Sequence, residues 1–282
     1  MKKNSTISSC PASRKQETMN ETEESITLSL NKIKNKFIVM SGKGGVGKSS
    51  VSVNLSLALA NKGFKVGLMD VDIHGPDIPR MLGLTGVKAS NVDNKLIPLD
   101  YSKTLKAISI ESLMPDCDVA IIWRGPMKHS VIKQFIGDVD WGELDFLIID
   151  SPPGTGDEPL SVAQSIPDAK AIIVTTPQEV SLGDVRKSIS FCGTVKMEIF
   201  GLIENMSSFA CPHCGKMVNL FGSGGGELIA NKTQIPFLGR IPFDSNMVAC
   251  GDSGSSFVEK YETSPVTLAF NDIVDKMSAL VA

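Results

Sequence analysis

A glycine-rich segment around residue 45 limits the possible fold more than any other feature of the chain. Residues 41–50 read SGKGGVGKSS, the apolar residues 37–40 precede them, and a helix-compatible apolar run covers residues 51–59. Glycines allow successive backbone N–H groups to point at phosphate oxygens, and the following helix adds the positive end of its dipole. The order of strand, loop and helix therefore predicts a phosphate-binding loop in an α/β fold.

The spacing of this segment is that of a P-loop, and it gives individual residues expected roles. Lys48 is expected to reach the β- and γ-phosphates of ATP, and the Ser49 hydroxyl is expected to bind Mg²⁺. Further nucleotide contacts are expected from the rest of the loop: Gly42, Lys43, Gly44, Gly45, Val46, Gly47 and Ser50.

Lys43 is an additional lysine at the start of the loop. Because Lys48 already occupies the direction of the γ-phosphate, Lys43 is expected to reach a nucleotide held by a second subunit. Here the sequence resembles the deviant Walker A ATPases, which include the nitrogenase iron protein, the arsenite-pump ATPase and the septum-site MinD proteins. The resemblance implies a homodimer that sandwiches nucleotide, in which Lys43 acts catalytically across the interface.

Size and charge narrow the class of protein. A chain of 282 residues, 42% of them hydrophobic, can form one large α/β domain. The net charge of −3 and the lack of a basic block argue against nucleic-acid binding. Neither a run of eighteen apolar residues nor a secretory signal is present, so we expect a cytoplasmic protein without membrane association. The cysteines are too irregularly spaced for a disulfide framework and stand at positions 10, 117, 192, 211, 214 and 250.

Alternation of short β-branched runs with helix-length segments predicts a single doubly wound domain over residues 35–282, with a mostly parallel sheet. Residues 1–34 are polar and are expected to form a flexible arm in which Cys10 is an exposed thiol. Residues 84–104 are expected to form a surface excursion. The predicted strands are 37–40, 65–71, 105–110, 119–123, 145–150, 171–176, 197–204 and 235–241.

The last predicted helix begins at Pro265, with Ser264 as its N-cap. One face is apolar, formed by Val266, Phe270, Ile273, Val274, Met277 and Val281. Its net acidic charge does not suit binding to anionic lipid, so the helix is expected to pack on the sheet.

Two strands end in carboxylates that could complete an ATPase site. Asp70 and Asp72 close the strand at 65–71, and the resemblance favours Asp72 as the catalytic partner of the attacking water, with a helix N-cap as the alternative. Asp70 is expected to stabilise the local turn. Asp150 follows four apolar residues and is expected to orient Mg²⁺, with residues 151–157 as a switch segment. Asp157 is expected to cap the following helix.

Asn205 follows another strand that ends at the same sheet edge. Relatives place an asparagine there against adenine, and a turn asparagine is the alternative. Residues 240–244 are a weaker prediction for the other side of the base.

Cys211 and Cys214 form a Cys-Pro-His-Cys motif, which supplies half of a tetrahedral sulfur site. A symmetric dimer would complete four cysteine ligands. An intersubunit zinc site and thiol–disulfide exchange remain alternatives. His213 is expected to be an exposed loop residue, and Cys117, Cys192 and Cys250 are expected to be structural thiols.

Five motifs together resemble the Mrp (ApbC) family of iron–sulfur cluster carrier ATPases. They are the P-loop, residues 70–76 (DVDIHGP), residues 123–127 (WRGPM), residues 149–157 (IDSPPGTGD), and the Cys211/Cys214 pair. The resemblance covers residues 35–282. It implies a homodimer that bridges a [4Fe–4S] cluster through Cys211 and Cys214 and delivers it to apo iron–sulfur proteins under ATP control. A MinD-like regulatory switch and a zinc-stabilised nucleotide-binding dimer are the rival functions.

Overall fold

The computed structural model describes residues 26–73, 75–113, 125–211 and 213–281, and residues 26–30 form a short helical segment. The strands are β1 (Ile33–Met40), β2 (Val66–Asp70), β3 (Ser90–Val92), β4 (Lys95–Ile97), β5 (Leu99–Asp100), β6 (Leu105–Ser109), β7 (Leu144–Asp150), β8 (Lys170–Thr175), β9 (Ile199–Ala210), β10 (Met217–Val218) and β11 (Phe237–Phe243). The helices are α1 (Lys48–Asn61), α2 (Ile78–Met81), α3 (Gly125–Asp138), α4 (Asp157–Ser165), α5 (Glu179–Val195), α6 (Gly225–Thr233), α7 (Ser245–Ser253), α8 (Phe257–Lys260) and α9 (Pro265–Val281).

Nine of the described strands build one sheet in the order β10-β9-β8-β1-β7-β2-β6-β5, with β11 also paired to β9, and β3 and β4 form a separate two-stranded sheet. Within the nine-stranded sheet, all pairings are parallel except those of β5 and β10. The order places β1, β7 and β2 side by side in the centre. Their carboxyl ends, which carry the P-loop, Asp150 and Asp70, therefore lie at one edge.

The sheet is buried on both faces. Along β1, Phe37 and Val39 point into the core that contains α1 and α9, whereas Ile38 and Met40 point into the core that contains α3 and α5. Strands covered on both sides have no polar face, which is why they read as continuous apolar runs in the sequence. The predicted doubly wound, mostly parallel α/β fold is confirmed.

The beginning of the domain differs from the prediction. Residues 26–34, assigned to the flexible arm, belong to the fold here, because Ile26, Leu30 and Ile33 are buried. Residues 1–25, with Cys10, lie outside the described residues, as do Cys117 and the whole predicted strand at 119–123.

Other boundaries shift by a few residues. Strand β9 runs to Ala210, six residues beyond its predicted end, and β11 begins two residues late. The expected excursion at 84–104 contains a hairpin of β3 and β4, turned by Asp93 and Asn94 at positive φ.

The terminal helix α9 forms as predicted. The Ser264 hydroxyl accepts a hydrogen bond from the Thr267 N–H at 3.1 Å and so caps the helix. Its apolar residues pack into the core, with Val281 only half-buried.

Candidate nucleotide and metal sites

The P-loop connects β1 to α1 and leaves its backbone donors available. Gly45 and Gly47 adopt φ of 79° and 80°, a region in which other residues are strained. Gly47 is the N-cap of α1 and contributes no side-chain hydrogen bond to the helix end. The first N–H groups of α1 can therefore bind phosphate.

Asp150 is the centre of a buried polar cluster at the start of α1. Its Oδ2 lies 2.8 Å from Lys48 Nζ and accepts a hydrogen bond from Ser49 Oγ at 2.7 Å. Its Oδ1 accepts one from Ser52 Oγ at 2.7 Å. Lys48, Ser49 and Asp150 are thus brought together as the sequence predicted. Ser52 was missed, although it follows Ser49 by one helical turn and therefore shares its face.

The loop after β2 is organised by Asp70. Its Oδ1 accepts a hydrogen bond from the Asp72 N–H at 3.1 Å, and its Oδ2 accepts bonds from Ile78 N–H and Ser109 Oγ at 3.4 and 3.2 Å. Burial, followed by the charge of Asp150, raises the pKa of Asp70 well above its usual range. Asp72 accepts a hydrogen bond from the Gly75 N–H at 3.3 Å.

One cavity of about 430 Å³ joins the P-loop to this segment. Gly44 to Ser50 form one wall, and Asp72, Arg80 and Met81 form another. The third wall comes from α7, through Met247, Val248, Gly251 and Asp252, which the sequence analysis did not identify. The weaker prediction at residues 240–244 ends next to this wall. Asp244 is the N-cap of α7, and its side chain accepts a hydrogen bond from the Asn246 N–H at 2.8 Å.

Asn205 reaches the P-loop from β9. Its Nδ2 donates to the Val46 carbonyl at 2.9 Å, while its Oδ1 is buried and has no hydrogen-bond partner among the described residues. An unpartnered buried amide oxygen is costly unless a ligand donates to it. The cavity, this oxygen and the neighbouring oxygens of Ser49 and Asp150 are of the kinds that would suit a magnesium nucleotide.

Gly42 and Lys43 lie at the outer end of the loop. A β-carbon on Gly42 would come within 2.3 Å of the Asp184 carbonyl oxygen, so this glycine allows the loop to pack on α5. Lys43 is half-buried, and its carbonyl accepts a hydrogen bond from Ser41 Oγ at 2.9 Å. Neither residue lines the cavity in the part of the chain that the structure describes.

The two paired cysteines lie on a tight turn directly after β9. Cys211 is half-buried and Cys214 is exposed. The Gly215 N–H donates to the Cys211 carbonyl at 2.8 Å, with Gly215 at φ 68°. Hydrogen bonds from the backbone of Cys214 and His213, and then from the Cys214 side chain, lower the pKa of Cys211.

This turn brings two sulfur atoms together, and no third candidate ligand joins them among the described residues. Within the described ranges, no group of three or more His, Cys, Asp or Glu residues is placed to hold a metal ion. Cys192 and Cys250 are buried and unpaired, in agreement with structural thiols. A metal site shared with a second subunit at this motif stays a prediction.

Fold and site together define the class of P-loop NTPases. A family model described as ParA: NUBPL iron-transfer P-loop NTPase matches residues 32–278, and the chain belongs to this family. This confirms the relationship expected from the motifs.

Individual relatives agree with this assignment. The chain is 49% identical to the cytosolic Fe-S cluster assembly factor NUBP2 homolog of Dictyostelium discoideum, over 88% of this chain and 96% of that protein. It is 47% identical to the iron-sulfur cluster carrier protein of Saccharolobus solfataricus, over 91% and 87% of the respective chains.

Solved structures resemble the fold. A nucleotide-binding protein of Archaeoglobus fulgidus, in complex with ADP, is 40% identical with a TM-score of 0.75, over 87% of this chain and 95% of that one. The MinD ATPase of Pyrococcus furiosus is 23% identical with a TM-score of 0.66, over 88% and 99%, and shares the fold. Among the described helices, none is both long and apolar enough to span a membrane.

Proposed function

We propose that this chain is an ATP-dependent carrier that binds a bridging [4Fe–4S] cluster as a cytoplasmic homodimer and transfers it to apo iron–sulfur proteins. The observation that carries the proposal is the combination, in one domain, of a cavity lined by the P-loop, whose Lys48 pairs with Asp150, with two neighbouring thiols at Cys211 and Cys214. The names of its relatives support the same cargo.

The chain's own residues account for nucleotide binding. The N–H groups of the P-loop and Lys48 would hold the phosphates, and Asn205 would receive the base through its unpartnered oxygen. Ser49 and Asp150 would hold Mg²⁺, which neutralises phosphate charge. Asp72, on the opposite wall of the cavity, would position the attacking water, and Lys43 of the partner subunit would stabilise the charge of the transferred phosphoryl group.

Anaerobic reconstitution with iron and sulfide tests the cargo. We expect about four iron and four sulfide per two chains, bound as a dimer. Cys211→Ala and Cys214→Ala should each lose the cluster, whereas Cys250→Ala, a buried thiol with no ligand role, should retain it. Zinc binding without sulfide, or a monomer with iron and ATP both supplied, would contradict the proposal.

A mixing experiment tests the role of Lys43 in trans. Lys43→Ala and Asp72→Ala should each abolish ATP hydrolysis alone. Mixed in equal amounts, they should regain activity, because a mixed dimer contains one site with an intact Asp72 and an intact Lys43 from its partner. No recovery on mixing would show that Lys43 does not act across the interface.

ATP control of delivery requires a separate measurement. Lys48→Ala should bind a cluster normally but transfer it to an apo-acceptor without response to ATP. Liposome sedimentation separates this function from a MinD-like switch, since ATP-dependent recovery with vesicles would favour the switch.

A further inference from the structure

Glu204 is a fully buried carboxylate that comes directly before Asn205 on β9. Its two oxygens accept hydrogen bonds from the Gly224 N–H at 3.2 Å and the Gly226 N–H at 2.6 Å, at the start of α6. Arg240 Nε lies 3.4 Å from the same carboxylate. A helix N-terminus and a guanidinium both stabilise a buried anion. Glu204 therefore attaches the start of α6 firmly to β9.

The glycine cluster at residues 222–226 is what permits this attachment. A β-carbon on Gly226 would lie 3.0 Å from the Glu204 carboxylate, and one on Gly225 would lie 2.5 Å from the Pro177 carbonyl oxygen. Gly224 has φ of 76°. Only residues without side chains let the chain approach β9, through Gly226, and the loop after β8, through Gly225, this closely.

The next two residues of β9 contact the P-loop. A β-carbon on Gly47 would lie 2.4 Å from Asn205 Nδ2 and 3.4 Å from Met206 Cε. Met206 has φ of 56°, which is uncommon for a residue other than glycine, and the β9–β11 register shifts just after Asn205. The strand is thus distorted at the point where it leaves the nucleotide site.

Residues 207–223, here named the cysteine segment, lie between these two attachments. The segment begins with the last four residues of β9, carries Cys211 and Cys214, and returns to β9 where the Gly224 N–H binds Glu204. Both of its ends are therefore held by three consecutive residues, Glu204 to Met206. A shift of the P-loop on binding phosphate would reach the first end through Asn205 and Met206. Because Glu204 holds the second end, the segment would move as a unit.

We propose that Glu204 is a positioning residue which, together with Met206, transmits the state of the nucleotide site to Cys211 and Cys214. This inference rests on the proposed carrier function and adds the route of its control. The coupling is expected in the cluster-free protein, since every contact in the route belongs to the chain itself.

Alkylation of Cys211 and Cys214 by iodoacetamide, with and without the magnesium complex of a non-hydrolysable ATP analogue, measures this coupling. In the wild type, nucleotide should change the alkylation rate by about fivefold or more, a usual size for linked sites. In Glu204→Gln the change should fall below about twofold, with analogue affinity within about threefold of wild type. Glu227→Gln is the matched control. Glu227 and Glu204 both pair with Arg240, but only Glu204 accepts the hydrogen bonds from the start of α6. The Glu227→Gln change therefore leaves those hydrogen bonds in place.

Met206→Gly provides a second test if Glu204→Gln does not fold. Glycine accepts φ of 56° without strain, so the fold should persist while the Met206 side chain, whose Cε lies 3.4 Å from the position of a β-carbon on Gly47, is removed. It too should lose most of the nucleotide response. A response retained in both variants would overturn this inference and leave the carrier function standing. A wild type without any response would overturn ATP control of the cysteines as well.

Discussion

Asp70 and Asp150 are direct neighbours on the adjacent parallel strands β2 and β7, and both side chains are buried. Asp150 is neutralised by Lys48 at 2.8 Å, whereas the hydrogen bonds of Asp70 come from two backbone N–H groups and Ser109. Two carboxylates at the ends of neighbouring strands therefore have different tasks: one faces the P-loop and the other shapes the segment that carries Asp72.

The raised pKa of Asp70 predicts how its contribution to stability depends on pH. The folded state favours the protonated form, so this contribution is complete below the unfolded pKa of 3.8 and is lost as pH rises through the folded pKa. We expect the free energy of unfolding of the wild type, relative to Asp70→Asn, to fall as pH increases above about 3.8. Urea denaturation over a pH series measures it.

Asp145 provides a control of opposite sign. The Lys34 side chain, followed by the Lys65 N–H, lowers the pKa of Asp145. Its stabilising effect should be present above pH 3.8 and disappear as pH falls through the folded pKa, with a size below about 1 kcal/mol because Lys34 is exposed. The comparison variant is Asp145→Asn, and if the wild type relative to it shows the same pH trend as relative to Asp70→Asn, the account of Asp70 is wrong.

Ser52→Ala should destabilise the protein by about 2 kcal/mol, because Asp150 Oδ1 loses its hydrogen bond inside the core. Chemical denaturation gives the value. Ser56→Ala is the matched control in the same helix, since its buried hydroxyl bonds only the Ser52 carbonyl at 2.8 Å. It should cost less than about 1 kcal/mol. Equal losses would mean that Ser52 does not support Asp150.

Gly47→Ala should weaken ATP binding by about tenfold or more, since its β-carbon would displace Asn205 and its φ of 80° strains alanine by about 1–2 kcal/mol. Calorimetric titration and thermal unfolding measure both effects. Gly44→Ala is the control for stability: no atom lies within 4 Å of its β-carbon, so unfolding should change by less than about 0.5 kcal/mol. A stable Gly47→Ala with unaltered affinity would argue against Asn205 as a base contact.

The cysteines should differ sharply in reactivity. Backbone N–H groups lower the pKa of Cys211, while burial raises the pKa of Cys192 to about 11. In the folded protein, a short iodoacetamide pulse should modify Cys211 with a pH midpoint below 9.0 and leave Cys192 unmodified. Peptide mass spectrometry measures both, and denatured protein, in which the two sites become equivalent, is the control. A midpoint of 9.0 or higher would refute the role of the turn.

Local patterns predicted the central strands, the P-loop and α9, because each is an apolar or glycine pattern read within about ten residues. The first residues of β1 were not predicted as a strand, because Lys34 and Lys36 make this part of the sequence polar. Both lysines are satisfied by distant acids, Asp145 and Asp168, at 2.8 and 2.7 Å. Such pairings join residues more than a hundred positions apart, and no local pattern contains them.

The same limit explains what was missed at the site. Glu204 and Ser207 interrupt the apolar run of β9, so the predicted strand ended at residue 204 although β9 continues to Ala210. In the fold, Glu204 binds the start of α6 and Ser207 Oγ donates to the Ile241 carbonyl at 3.2 Å. The cavity wall formed by α7 likewise depends on a tertiary contact, because it brings a helix near the end of the chain next to the P-loop near its start. Asp150 could be predicted without any tertiary contact, because it directly follows an unbroken run of apolar strand residues.

The unusual length of β9 has a further consequence. Asn205 and Cys211 are six residues apart along an extended stretch, which spans at most about 20 Å. The P-loop contact of Asn205 and the two thiols therefore lie at separate points of one stretch of chain, and neither cysteine lines the cavity beside the P-loop. Ligands of the two sites are thus kept in separate places within a single polypeptide.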